Sequence, residues 1–364
     1  MLKDHYALTT AGFGTAPDAD VPHIELESSP PPRGLFAIPG VYSLLVLLKQ
    51  YGWLSRLFPR NRSALERLRS GSWDLIIAHD VATVPVAAKL DSRRGLLVDL
   101  HEYAPRQGEE SRRWRIVEGG YATWVVRRFV TKATAVSTVS RGIVDEYRRE
   151  FGIESELVIN ASPYRADIEP RPAHEPLRLV HSGGPSPARR LETMVQAVRD
   201  TKANVTLDFY LLEDDSAYMR GVRELAEGVD RITFHEPVPY AELIPTLARY
   251  DLGISLLAPI NFNHVWALPN KFFDYIQARL AVVIGPSPEM QSIVEKYGVG
   301  AVAADFTPES LAALFESLET TDVTRWKQNA SEHARELSSE TQVKVWKQMV
   351  DRIFATDQRD SDDR

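Results

Sequence analysis

Short runs of β-branched and aliphatic residues alternate with longer stretches of helical period along most of this 364-residue chain, and the rhythm is broken once. Such alternation favours parallel sheets built from βα units, because parallel neighbours need a crossover long enough to hold a helix. In the first half, strands are expected at residues 74–78, 95–99, 133–139 and 157–159. Helices are expected over 83–90, 111–130 and 140–151, with a further apolar helical stretch over 41–58. Residues 161–176 then carry four prolines and several charges with little periodicity, which reads as a linker. The rhythm restarts with strands at 177–181, 205–212, 231–234, 252–256 and 281–284. Its helices begin near Pro187 and then cover 216–227, 240–250, 271–279, 287–297 and 308–318.

The fold class is therefore α/β, with two Rossmann-like domains over 1–165 and 166–340. A cleft between such domains is the usual place for a ligand. The last helical stretches, 323–337 and 342–354, have no strand left to follow. The C-terminal helix, 341–355, is expected to cross back to the first domain, and the polar tail 356–364 to be disordered. The length suits two domains better than one.

The absence of cysteine removes disulfides and thiolate metal sites and fits a reducing compartment. No run approaches the roughly 18 apolar residues that span a bilayer, and the first five residues lack the apolar core of a signal peptide. A cytoplasmic location is expected, peripheral at the inner face of the membrane if the basic surface is used. The net charge of −7 is unevenly spread: residues 33–150 hold about 20 Lys and Arg against about 12 Asp and Glu. That surface suits anionic lipid or an anionic acceptor, or is simply solvated arginine. No nucleic-acid partner is expected.

Two segments carry chemistry. The first, His181-Ser-Gly-Gly-Pro-Ser-Pro-Ala-Arg-Arg190, joins a strand to an amphipathic helix. Glycines there let backbone N–H groups approach an anion, and the helix N-terminus adds partial positive charge. Arg189, expected in the first turn of that helix, opposes the dipole unless something negative binds. An ordinary turn with a solvated arginine is the plainer alternative. The second segment runs from Leu268 through Pro269-Asn270-Lys271-Phe272-Phe273-Asp274 to Met290. Pro269 suits a helix start, Lys271 brings a cation to it, and Asp274 lies in its first turns. Phe272, Phe273, Tyr275 and Ile276 read as core. Among the histidines, His101 stands at a strand C-terminus, where open α/β sheets bind ligands. His79 ends a strand and can be satisfied by backbone. His181 and His264 read as local hydrogen-bonders. Glu102 either orients His101 or caps a turn.

These segments resemble the donor half of family 4 glycosyltransferases, in which a Gly-rich turn with a basic residue precedes a P-x-K-x-x-E-Y-x-A-x-G-x-P-V stretch. In the first half, Ala78-His-Asp80 with Val84-Pro85 resembles the family's H-D-x-x-x-x-P. Val98-Asp-Leu-His-Glu-Tyr103 resembles the D-x-H-E segment of one branch. Glu118 with Ala135-Val-Ser-Thr-Val-Ser140, and Val158-Ile-Asn160, resemble later segments in the same order. The resemblance implies two Rossmann-like domains facing across a cleft (the GT-B architecture) and retaining transfer from a nucleotide-diphosphate sugar without metal or cofactor. It implies an acceptor that is a glycan or lipid-linked, and it allows contact with a membrane through 41–58 and 112–128, for which helices that simply cover the sheet are the plainer alternative. Residue by residue, Arg189 and Lys271 would neutralise the donor diphosphate with Gly183 and Gly184. Asn270 would stand beside them, Asp274 would accept from the ribose hydroxyls, and backbone near Val238 would read the base. His101 would face the donor sugar, with Glu102 next to it as the second catalytic candidate.

The chain departs from the pattern at named places. Trp266 stands where the first glutamate of E-x7-E is expected, Arg279 where a glycine follows the helix, and Ala281 where a proline follows. The first ten residues read as the end of a helix and a second strand, so the first βα unit is expected to be missing. Two other readings stand beside transfer: a catalytically impaired relative that binds nucleotide-sugar or a partner, and a sugar-nucleotide epimerase. A solute-binding protein would need an export signal. The acidic pairs Asp18/Asp20 and Asp214/Asp215 imitate a metal-binding D-x-D but sit on no convincing strand end.

Overall fold

A computed structural model describes residues 2–31, 38 and 40–362, the last seven of these by backbone alone. The chain divides into two compact units. One comprises Met1–Val158, Asn261–Asn263 and Val343–Arg364, and the other Ile159–Ile260 and His264–Gln342.

In the first unit, strands β1 (Thr10–Gly12) and β2 (His23–Glu25) form a parallel pair. Strands β3 (Ile76–His79), β4 (Leu96–Leu100), β5 (Ala135–Thr138) and β6 (Glu156–Leu157) form a separate parallel sheet in consecutive order. β4 reads Leu-Leu-Val-Asp-Leu because it is covered on both faces, as parallel strands are. Its Leu97 packs against Met349 and Val350 of the final helix, Ser339–Asp362. The final helix thus joins the first unit's core. Its backbone continues through 362 where a disordered tail was expected from 356, and 363 and 364 lie outside the described residues.

Two long helices expected from periodicity are each two short ones. The 41–58 stretch divides into Val41–Leu47 and Tyr51–Leu57, with Lys49 between them at φ 53°. The 111–130 stretch divides into Arg112–Val117 and Gly119–Arg128. The indole of Trp114 lies 2.8 Å from where a Cβ on Gly119 would be, so only glycine admits that ring.

The second unit holds six parallel strands: β7 (Leu177–Gly183), β8 (Val205–Leu211), β9 (Ile232–His235), β10 (Leu252–Ser255), β11 (Ala281–Ile284) and β12 (Gly300–Val302). Their order, β12-β11-β10-β7-β8-β9, is that of a doubly wound sheet. The order reverses between β7 and β10, and ligands of such sheets bind beyond the strand C-termini at that reversal. β12 was not legible in the sequence, since Gly-Ala-Val is too short and too weakly β-branched to signal a strand.

The proline-rich segment is not a free linker. Ser162 is buried, and Ala161, Tyr164 and Ile168 pack on the cluster that contains Phe272, Phe273 and Ile276. The second unit therefore begins at Ile159, ahead of the boundary expected at 166. Arg279 adopts φ 61°, the left-handed conformation that a glycine commonly supplies after a helix. Its guanidinium donates to the carbonyls of Ile276, Gln277 and Arg165, which offsets part of the cost.

Beneath the sheet, Lys327 is 1% exposed and donates to Asp251 Oδ1 at 2.9 Å and to the carbonyl of Tyr250 at 2.8 Å. His174 and the backbone N–H of Arg178 meet the same carboxylate. Removing one member of a buried pair strands the other charge. Lys327→Met should therefore lower the unfolding free energy of the second unit by about 3 kcal/mol in urea titration. Arg148→Ala, which breaks the exposed contact to Glu154, should leave the transition unmoved.

Candidate functional site

Each unit presents a polar cluster at the C-terminal ends of its strands. In the second unit the cluster is built around Gly183, the last residue of β7. Its φ of 112° lies in the region that favours glycine. A Cβ there would stand 3.3 Å from Lys271 Nζ and 3.5 Å from Arg189 Nη1. Two cationic side chains therefore converge on one backbone position.

Lys271 is the second residue of helix Asn270–Gln277, which follows Pro269 as its N-cap. It is 8% exposed, and its Nζ lies 3.0 Å from His181 Nε2. His181, fully buried on β7, has Nδ1 2.8 Å from the carbonyl of Ile254 on β10. A carbonyl only accepts, so Nδ1 carries the proton and Nε2 accepts from the Lys271 ammonium. His181 is thus a local hydrogen-bonder, as expected, and also the seat of Lys271. Burial and the nearby Lys271 hold the His181 imidazolium well below the usual histidine range. Burial, then repulsion from Arg189, holds the Lys271 ammonium well below the usual lysine range. Burial alone pulls Arg189 down.

One carboxylate tempers this charge. Asp274, 4% exposed, attracts Lys271 and accepts from Ser162 Oγ at 2.6 Å and Tyr240 Oη at 3.4 Å. Burial pushes its pKa up, against the pull of Ser162 and Tyr240. Asn270 is exposed at the helix start, and Gly184 is half-buried after Gly183. Val238 is half-buried in the loop between β9 and the helix Tyr240–Leu247. Arg189 is placed differently from expectation. It closes the short 3-10 turn Pro187–Arg189, and the helix begins only at Leu191, behind Arg190 at φ 53°. It stands ahead of the helix N-terminus rather than inside its first turn.

In the first unit the cluster surrounds Asp99 of β4. The carboxylate is 5% exposed and lies 3.1 Å from His101 Nε2, 3.2 Å from His79 Nδ1 and 2.6 Å from Ser137 Oγ. Burial alone would raise the pKa of Asp99, but the hydrogen bonds from His101, His79 and Ser137 more than reverse it and hold it below the usual carboxylate range. The bond to Asp99 raises His101, against its own burial. Glu102 is raised by burial and by Asp80, and its side chain bonds Gln107. His101 is therefore oriented by Asp99. The acidic pairs serve turns: Asp18 holds Lys3 at 2.6 Å, and Asp214 accepts from the backbone of Ser216 at 2.7 Å. Sequence reasoning missed Ser162, Tyr240, Asp99 and the seat that His181 gives Lys271. Two signals were available: a histidine that follows an apolar strand and opens a Gly-rich turn, and Asp99 as the first residue of the D-x-H-E segment.

Residues 5–161 match the family model of the glycosyl transferase 4-like domain. No curated protein matches the chain by sequence. Among solved structures, sucrose-phosphate synthase from Thermosynechococcus elongatus superposes with a TM-score of 0.70 at 15% identity, over 98% of this chain and 91% of that one. HepE from Anabaena, solved with UDP and glucose, gives a TM-score of 0.64 at 16% identity, over 92% and 86%. WaaG, a glycosyltransferase involved in lipopolysaccharide biosynthesis, gives 0.62 at 13%, over 92% and 88%.

An anion bound beside Gly183 would favour the charged form of Lys271. The bound state then holds more protons than the free one, so affinity must fall as pH rises. Above about pH 7, where the terminal phosphate of a nucleoside diphosphate is ionised, calorimetric titration with UDP should show affinity falling with pH. In Lys271→Met the slope should flatten.

Proposed function

We propose that this chain is a glycosyltransferase of the GT-B architecture, that its second unit binds a nucleotide-diphosphate sugar, and that the sugar passes to a glycan or lipid-linked acceptor with retention and without metal; the match of residues 5–161 to the glycosyl transferase 4-like domain and the likeness of fold support this reading. The observation that carries the donor site is the convergence of Lys271 and Arg189 on Gly183, both desolvated, with Asp274 attracting the lysine. Buried cations of one sign are costly unless an anion joins them. A diphosphate brings that charge in the right size, and the position beyond β7 and β10 is where a doubly wound sheet binds ligands.

In this reading the ammonium, the guanidinium and the N–H groups of Gly183 and Gly184 stabilise the diphosphate as the anomeric carbon–oxygen bond breaks. These groups take the part that a metal plays elsewhere. Asp274 is assigned to the ribose hydroxyls through the oxygen that Ser162 and Tyr240 leave free of their bonds, Asn270 stands at the same helix start, and the loop at Val238 is assigned to the base. His101, held by Asp99, is the first unit's candidate for the reacting end of the sugar, with Glu102 beside it. The complex of HepE with UDP makes UDP the first nucleotide to test.

The acceptor side is proposed to rest against a membrane. Tyr42, Leu44, Leu47, Leu48 and Trp53 are exposed around the helices Val41–Leu47 and Tyr51–Leu57, with Arg56 among them. Among the described residues no helix is long and apolar enough to cross a bilayer. A cytoplasmic location, at the inner face of the membrane, follows from the same reading. The chain has no cysteine to protect.

A thermal-shift panel of UDP, GDP and ADP tests the donor site. At about 100 times Kd, a ligand that binds only the folded protein stabilises it by about 2.7 kcal/mol. At least one nucleotide should raise the melting temperature of wild type. A charge-assisted hydrogen bond contributes about 2 kcal/mol, so Arg189→Ala should weaken that nucleotide roughly 30-fold. If none of the three shifts wild type, the donor assignment is wrong.

A further inference from the structure

Asp99 lies between two imidazoles, and one of its oxygens is within reach of a ring nitrogen on each. Its Oδ2 is 3.2 Å from His79 Nδ1 and 3.1 Å from His101 Nε2. Both separations are those of hydrogen bonds in the free protein, and both also suit a shared ion. Ligand atoms held about 2.1 Å from one ion, at tetrahedral or adjacent octahedral positions, stand roughly 3.0–3.4 Å apart. One nitrogen from each ring and one carboxylate oxygen lie within 4.8 Å of one another, and no other three ligating side chains do so among the described residues.

The surroundings fit an ion as well. The other oxygen of Asp99, Oδ1, accepts from Ser137 Oγ at 2.6 Å, which fixes the carboxylate and leaves Oδ2 to the rings. Trp346 stacks on His79 with centroids 5.2 Å apart and holds that ring's plane. Asp99 is buried, whereas the side chains of His79 and His101 are 58% and 39% exposed. An ion would thus have protein on one side and open positions on the other. The donor set holds nitrogen and oxygen only, which suits zinc, iron(II) or cobalt(II) and not the all-oxygen preference of calcium or magnesium.

We propose that His79, Asp99 and His101 bind one borderline divalent transition-metal ion, with water completing its shell. The rings coordinate through His79 Nδ1 and His101 Nε2, and their protons sit on the far nitrogens. The site belongs to the first unit and does not depend on the donor reading of the second. The ion has no part in stabilising the diphosphate.

The test is equilibrium dialysis of tag-free, chelator-treated full-length protein against zinc, with cobalt(II) absorption as a second readout. One equivalent should bind, and cobalt should show the visible bands of a nitrogen–oxygen site. His79→Ala and, separately, His101→Ala should abolish that equivalent while keeping the wild-type circular dichroism spectrum. Ser137→Ala, which frees the carboxylate, should weaken binding roughly tenfold. His174→Ala, at a second His–Asp contact of 2.9 Å, should bind as wild type. The proposal is overturned if wild type shows no saturable binding below about 100 µM. It is equally overturned if His79→Ala and His101→Ala retain the bound equivalent.

Discussion

The second unit is organised around positive charge that its own residues do not neutralise. Lys271 and Arg189 reach one backbone position from two different elements, and His181 seats the lysine without adding a negative charge. That arrangement needs Gly183 at φ 112°, a conformation that strains any other residue, and a side chain there would also press on Lys271 Nζ at 3.3 Å. It also needs β7 and β10 adjacent, since His181 is fixed by the carbonyl of Ile254 across that pair. Strand order, a single glycine conformation and a tautomer are thereby tied to one electrostatic requirement. Sites of this kind hold unfavourable energy in the free protein and release it on binding.

The contrast with Lys327 shows that the chain can neutralise a buried lysine where neutralisation is wanted. There a carboxylate at 2.9 Å and a carbonyl at 2.8 Å receive the ammonium, and Asp251 is in turn held by His174 and backbone N–H groups. Near Lys271 the nearest carboxylate, Asp274, is turned to Ser162 and Tyr240 instead. The same residue type is structural in one place and poised in the other, and the partner set makes the difference.

Much of this architecture was legible because parallel strands buried on both faces must be continuous runs of Leu, Ile and Val. Ala281–Ile284 and Leu252–Ser255 stand where those runs stand. What escaped was decided by contacts distant in sequence. Periodicity continues across Glu118, where the helix breaks, and nothing in the sequence shows that the indole of Trp114 occupies the space beside Gly119. Prolines between 161 and 176 read as a linker, yet Ser162 is buried against Asp274, over a hundred residues away. Lys271 and Arg189 were legible as cations near a helix start. The partnership of His79, Asp99 and His101 was not, since neither spacing nor composition says that β3 and β4 bring them to one point.

The final helix has a consequence for the order in which the protein can be made. Leu97, in the first hundred residues, is covered by Met349 and Val350. At a ribosomal pace of about 5–20 residues per second, the residues between Val158 and Val343 take roughly 10–40 s to synthesise. Throughout that interval one face of the first unit's sheet lacks the cover of Met349 and Val350, and by its end the second unit, which runs to Gln342, has its whole chain. The part begun first is closed last, and its bare aliphatic face is the surface that a nascent-chain chaperone would meet.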